Sequence, residues 1–224
     1  MTVWWGVNQQ ASHRTSIFTT LLNLHSLLLS NFRIWSSPRL DDKELLLKIR
    51  DPETRNYGFN LLVREYQKRV YGHIRKMVID HDDADDLTQE VFIKVHKHIA
   101  SFREDAQLYT WIYRIATNEC LTFLQRKKRR FFLPIGDVAG ELAGKLDHSA
   151  HISGDEIQLK LQKALLKLPD KQRLVFNMKY FDDMSYEEIS EITNTTVGAL
   201  KASYHHAVKK IEVFLTAWLN FLMF

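Results

Sequence analysis

Apolar residues recur at helical spacing along most of this chain, and no stretch alternates convincingly enough to predict a strand. Leu87, Val91, Val95 and Ile99 return every four residues, the interval that lines up one face of an α-helix. Similar spacing predicts a long helix over 57–79, a second from Asp83 to about Phe102, and a third from about Leu108 to Arg130. Asp51-Pro52-Glu53 reads as an N-cap, a proline at the first helical position and an acid in the first turn. Over 131–156 the periodicity stops, and that stretch holds Gly136, Gly140, Gly144 and Gly154 together with Pro134, a linker composition. Ile157, Leu161, Leu165 and Leu168 then resume a stripe that Pro169 ends.

The clearest local pattern is "MSYEEISEITNTTVGALKASYHHAVKKI", residues 184–211. Ser185 and Glu188 have capping-box spacing, and Tyr186, Ile189 and Ile192 give the short helix behind them an apolar face. Thr193-Asn194-Thr195-Thr196 interrupts it with turn and cap residues. Val197, Leu200, Tyr204, Ala207 and Ile211 form the stripe of a second helix. Two short helices around a tight polar connection are the sequence form of a helix-turn-helix. The expected fold is therefore all-α: two small helical domains, the C-terminal one a helix-turn-helix, joined by a flexible linker. The expected limits are 1–39 for an N-terminal extension, 40–130 and 157–217 for the domains, 131–156 for the linker, and 218–224 for a tail.

Composition narrows the class. An apolar share of 45% and a charged share of 26% suit a soluble globular protein. The single cysteine, Cys120, rules out an internal disulfide framework and a Cys-rich zinc site, and fits a reducing cytoplasm. The segment 16–32 is apolar but broken by Thr, Asn, His and Ser, so neither a spanning helix nor a secretory leader is expected. Residues 1–39 are read as a poorly ordered extension translated from upstream of the natural start, with an amphipathic segment as the alternative. The net charge of +4 owes three of its units to Arg14, Arg33 and Arg39. The rest of the chain is nearly neutral, so local charge decides.

Asp80, Asp82, Asp83, Asp85, Asp86 and Glu90 crowd into eleven residues. A calcium loop is excluded, because the sixth position counted from Asp80 is Asp85 rather than the glycine the turn needs. On a helical wheel the stripe from Leu87 spans roughly 0–120°, Asp85, Gln89, Asp82, Asp86 and Glu90 fill about 160–300°, and Ile93 falls near 240° among them. An apolar residue ringed by carboxylates fits a docking face for a basic protein surface, one that would repel DNA.

Two other segments carry chemistry suited to nucleic acid. Arg103, Tyr109, Trp111, Arg114 and Asn118 precede the basic block 126–130; aromatic faces with flanking cations suit unstacked bases. Trp111 reads equally as core, and the basic block as a solvated helix end that complements the dipole. Lys201, Ser203, His205, Lys209 and Lys210 line the outer side of the second motif helix, with no acid between Thr196 and Lys210. Such groups meet phosphates and base edges, although a solvated helix of an ordinary bundle has the same look. His205-His206 is not a metal pair, since adjacent helical residues point about 100° apart.

Taken in order, these segments resemble the bacterial sigma factors of the extracytoplasmic-function type. "DADDLTQEVFIKV" (83–95) is similar to their region that grips the clamp coiled coil of RNA polymerase. "TWIYRIATNECLTFLQRKKRR" (110–130) is similar to the region that melts and reads the proximal promoter element. Residues 168–212 are similar to the region whose helix-turn-helix reads the distal element.

The resemblance implies that Asp85, Asp86, Gln89, Glu90 and Ile93 contact polymerase. It implies that Arg103, Tyr109, Trp111, Arg114, Asn118, Arg126 and Lys127 serve the proximal element, Asn118 by reading a flipped base. Thr196, Gly198, Lys201, Ser203, His205 and Lys209 would face the distal element. Many relatives carry Arg at the positions of Ser203, His206 and Val208, so this recognition helix is less basic and leans more on polymerase for affinity. The implied partners are core RNA polymerase, promoter DNA and an anti-sigma factor. No cofactor, metal, enzymatic activity or membrane insertion is expected. The residues alone also allow a free-standing helix-turn-helix regulator, and more remotely a metal-dependent hydrolase.

Overall fold

A computed structural model of the chain describes residues 41–130 and 156–222. The expected extension over 1–39 and nearly all of the expected linker lie outside the described residues. Eight α-helices and no strand occur among the described residues. The first group is α1 (Asp42–Arg50), α2 (Arg55–Val78), α3 (His81–His98) and α4 (Leu108–Arg130), with a short 3₁₀ turn at Ile99–Ser101. The second is α5 (Glu156–Leu166), α6 (Asp170–Tyr180), α7 (Tyr186–Thr193) and α8 (Val197–Leu222).

The apolar stripes become the core. Leu62, Val70, Ile74 and Met77 from α2 meet Leu87, Val91 and Val95 from α3 and Ile112, Ala116 and Leu124 from α4, all buried. Burying side chains of this size stabilises by about 1.5–3 kcal/mol each. α1 and α2 approach closely at Gly58. A Cβ on Gly58 would lie 2.9 Å from the Ile49 backbone nitrogen and 2.9 Å from Lys48 Cβ. Backbone cannot move aside cheaply, so Gly58→Ala is expected to lower stability by about 1–3 kcal/mol, read as a lower urea midpoint at unchanged slope.

The expected start of the long helix needs correcting. Asp51 is the C-cap of α1, its N–H bonding back to Leu47, and α2 begins only at Arg55. Asp51 still takes the Glu53 N–H at 3.0 Å and the Thr54 hydroxyl at 3.3 Å, so Asp51-Pro52-Glu53 builds a turn between two helices. At the α2–α3 junction Ile79 has φ 67°, and the Asp80 N–H reaches the Val78 carbonyl at 2.8 Å. This is the rare positive-φ form of a γ-turn, strained for a β-branched residue. It sets Asp80 to cap α3 through the Asp83 N–H at 3.0 Å.

The capping box at the start of α7 is complete. The Ser185 hydroxyl accepts from the Glu188 N–H at 3.1 Å, and the Glu188 carboxylate takes the Ser185 N–H at 2.7 Å. Asn194 ends the helix in the left-handed region at φ 51°, where asparagine is tolerated best among residues with a side chain. The helix-turn-helix is thus formed as its residues suggest, and its second helix runs on past Ile211 to Leu222.

The two groups also pack on each other. Leu174, Val175, Met178, Met184, Ile189 and Ile192 from α6, α7 and the turn between them join the same apolar cluster as α2 and α4. A second cluster, including Leu161, Leu165, Phe176, Ala207 and Ile211, belongs to the C-terminal group alone.

Candidate nucleic-acid and polymerase interfaces

The acidic side of α3 faces solvent. Asp85, Asp86, Gln89, Glu90 and Ile93 are all exposed, and Ile93 is 54% exposed despite its size. Beside it lies an open hollow lined by Phe59, Gln89, Phe92, Ile93, His96 and Lys97. The Phe59 and His96 rings meet edge to face at 4.7 Å between centroids, which stiffens the hollow's wall. Sequence reasoning missed Phe59, which comes from α2, and also His96 and Lys97, which their i+3 and i+4 spacing from Ile93 could have found. Asp83, by contrast, turns inward to Lys127 at 3.2 Å. That ion pair ties the basic end of α4 to α3 and occupies one cation assigned to promoter DNA.

The residues expected at the proximal element, on and before α4, differ in accessibility. Arg103, Asn118 and Arg126 are exposed, Trp111 is half-buried and Tyr113 is buried. The Trp111 ring leans on Phe102, centroids 5.2 Å apart. Tyr109 is buried, and its hydroxyl donates to the Glu188 carboxylate at 3.1 Å. Burial first, then the Glu188 charge and this bond, push the Tyr109 pKa far above its ordinary value. Burial would raise the Glu188 carboxyl, but bonds from the Ser185 N–H and hydroxyl and from Tyr109 outweigh it and hold the group below its usual range. Arg114 donates to the Glu191 carbonyl at 2.6 Å. Two of the seven side chains expected at the proximal element are therefore held by α7 of the other group.

Thr196, just before α8, and Gly198, Lys201, His205 and Lys209 on it are exposed, and Ser203 is half-buried. The Thr196 hydroxyl accepts from the Ala199 N–H at 3.4 Å, a loose N-cap. Lys201 lies over the Tyr186 ring at 5.7 Å. Its long stem is thereby steadied while the ammonium stays at the surface. The exposed residues form one outward, acid-free face at the start of the helix, the shape a major groove admits.

One cluster escaped sequence reasoning. Asp182, in the turn between α6 and α7, pairs with Lys76 of α2, and its second oxygen faces His73 Nδ1 at 3.7 Å. The other His73 nitrogen bonds the Thr117 hydroxyl at 3.1 Å. Burial would raise the Asp182 carboxyl; His73 and the Lys76 ammonium overcome that and hold it below the usual range. The Asn177 side-chain amide donates to the Lys76 carbonyl at 3.2 Å. A polar Asn inside the apolar run 174–178 was the one local hint that a partner waits there.

Among the described residues, no cluster of His, Cys, Asp or Glu is arranged to hold a metal, and no helix is long and apolar enough to cross a membrane.

Comparison with known proteins decides what this pairing of a four-helix unit and a helix-turn-helix is. Residues 62–130 match Sigma-70 region 2 and residues 158–211 match Sigma-70 region 4. The chain belongs to the sigma-70 family. It is 31% identical to the RNA polymerase sigma-H factor of Pseudomonas aeruginosa, over 76% of this chain and 92% of that protein. It is 35% identical to the extracytoplasmic-function sigma factor SigW of Bacillus subtilis, over 66% of this chain and 83% of that one. The Escherichia coli sigma-E factor matches at 30% over 79% of this chain and 95% of its own length.

Two solved structures share the fold. CnrH, solved with the cytosolic domain of CnrY, has TM-score 0.57 and 22% identity, covering 79% of this chain and 97% of that one. RpoE of Bartonella quintana, solved with the anti-sigma factor NepR, has TM-score 0.55 and 20% identity, covering 70% and 96%. With both sigma regions present, the chain is a promoter-recognising transcription initiation factor of the extracytoplasmic-function group, and the free-standing regulator is set aside.

Proposed function

We propose that region 2 of this factor docks on core RNA polymerase through Asp85, Asp86, Gln89, Glu90 and Ile93. In this reading Arg103, Tyr109, Trp111, Arg114, Asn118, Arg126 and Lys127 serve the melted proximal element. Thr196, Gly198, Lys201, Ser203, His205 and Lys209 read the distal duplex. The observation that carries the docking assignment is Ile93, 54% exposed in the middle of an acidic helix face. A solvated face gains nothing from that isoleucine, whereas a basic partner with an apolar knob gains both charge complementarity and burial.

The promoter assignments rest on chemistry of the same kind. Trp111 offers a half-buried ring and Asn118 an exposed side chain on one helix, suited to stacking and to paired hydrogen bonds with an unpaired base. The face of α8 offers cations and small polar groups to a duplex. The factor turns over no substrate in this scheme; it lends core polymerase its promoter specificity, and it works in the cytoplasm. An anti-sigma partner is part of the proposal, supported by the structural neighbour RpoE having been solved with the anti-sigma factor NepR.

Run-off transcription with purified core polymerase tests the whole reading. Transcript from the factor's own promoters is expected only when the full chain is added. Equal transcript with and without it would overturn the reading.

A further inference from the structure

We propose that Tyr186 is a positioning residue for promoter reading: its ring aims Lys201 and so sets which base edge of the distal duplex that lysine meets. The inference rests on the assignment of Lys201 to the distal element made above, and it adds a residue from the other helix of the motif. The Lys201 ammonium lies 5.7 Å from the centre of the Tyr186 ring, within reach of a cation–π contact. Tyr186 is half-buried at the first position of α7, while Lys201 is exposed on α8. The ring thus backs the lysine from the protein side and leaves its outer side to the duplex.

The place of the ring is itself fixed. Tyr186 meets Tyr204 of α8 edge to face, centroids 6.4 Å apart. Tyr204 stacks on Phe176 of α6 at 5.6 Å, and Phe176 on Tyr180 at 5.1 Å. Phe176 is buried in the core of the C-terminal group. A row of rings therefore runs outward from that core, crosses α8 and ends at Lys201. A second ammonium, that of Lys179, stands 5.5 Å from the Tyr186 ring centre and donates to the Met184 carbonyl at 3.0 Å. With Lys179 anchored, charge repulsion disfavours every Lys201 conformer that approaches it.

Aiming matters because of what the contact must distinguish. A loose lysine has many rotamers, loses them on binding, and finds a phosphate on any duplex. A lysine held in advance loses less. It meets acceptors on a base edge, guanine O6 and N7 above all, only where the sequence places them. Preorganising Lys201 therefore raises affinity for the right promoter without raising it for the wrong one.

The test uses holoenzyme assembled from core polymerase and the full chain. Its two probes are a duplex promoter that the wild-type holoenzyme opens and the same duplex with the distal element scrambled. Tyr186→Leu keeps apolar bulk beside Tyr204 but removes the aromatic face. It is expected to weaken binding to the native promoter about two- to tenfold, the factor for one side chain that must be ordered on binding. Binding to the scrambled duplex should stay as it is, so discrimination falls. Tyr186→Phe returns the ring and should return both affinity and discrimination. Lys201→Ala should also lower discrimination, and in that background Tyr186→Leu should cost nothing more, because no lysine is left to aim.

The wild-type chain gives a reading of its own by nuclear magnetic resonance. The ring current of Tyr186 should move the Lys201 side-chain protons upfield of those of the other exposed lysines, the signal being assigned by its absence from Lys201→Arg. An unshifted Lys201 signal would overturn the proposal. So would equal losses from Tyr186→Leu with and without Lys201, or a loss that native and scrambled duplexes share, since each makes Tyr186 a packing residue only. Unchanged discrimination in Lys201→Ala would instead overturn the assignment of Lys201 to the distal element, and the proposal with it.

Discussion

Ile93→Asp is expected to abolish binding to core RNA polymerase while leaving the helical fold intact. Exposed as it is, Ile93 contributes little to the region 2 core, and an Asp in mid-helix costs about 0.5 kcal/mol in propensity. Against a partner the balance reverses. Burying an isoleucine side chain stabilises by about 1.5–3 kcal/mol, and an unpaired carboxylate in the same pocket adds a desolvation penalty on top. Losses beyond about 3 kcal/mol correspond to more than a hundredfold in affinity.

Ile93→Ala should fall between wild type and Ile93→Asp, because it empties the contact without charging it. Titration of core polymerase with labelled factor reads the affinity, and a thermal melt confirms the fold. Wild-type affinity in the Asp variant at an unchanged melting temperature would remove the docking face from the proposal.

What made Ile93 visible from sequence is that the proposed docking face and the core stripe lie on one helix, so a single periodicity separates them. The same holds for Ser185 with Glu188 and for Asn194, whose partners lie within a few residues. Asp51 was misplaced for a related reason. A cap, a proline and an acid start a helix or make a turn between two, and only the α1 helix before it distinguishes these.

The contact between the two helical groups was not legible. Lys76 and Asp182 are 106 residues apart, and nothing in either neighbourhood names the other. Glu188 was read as a cap and is one, but its carboxylate also receives Tyr109 from 79 residues away. Periodicity gives each helix its buried face. It does not say that α7 spends part of its exposed face on α4, which is why Tyr109 looked free for bases and is covered.

Trp111→Ala is expected to cost open-complex formation roughly 5- to 150-fold, the equivalent of about 1–3 kcal/mol for one stacked base. Tyr109 is buried against Glu188, whereas Trp111 is only half-buried. The competing role is structural, since the ring packs on Phe102 at 5.2 Å and losing such a pair costs about 0.5–1.5 kcal/mol.

Template choice separates the two roles. If Trp111 holds an unpaired base, its loss competes with re-pairing on a duplex promoter. On a template already mismatched across the proximal element, that competition is gone. The deficit should therefore be large on duplex and shrink on the melted template, and Trp111→Phe should recover much of the activity by restoring a stacking face. Equal deficits on both templates, with a melting temperature lowered to match, would place Trp111 in the core of region 2 and leave the first melted base to Arg103 and Asn118.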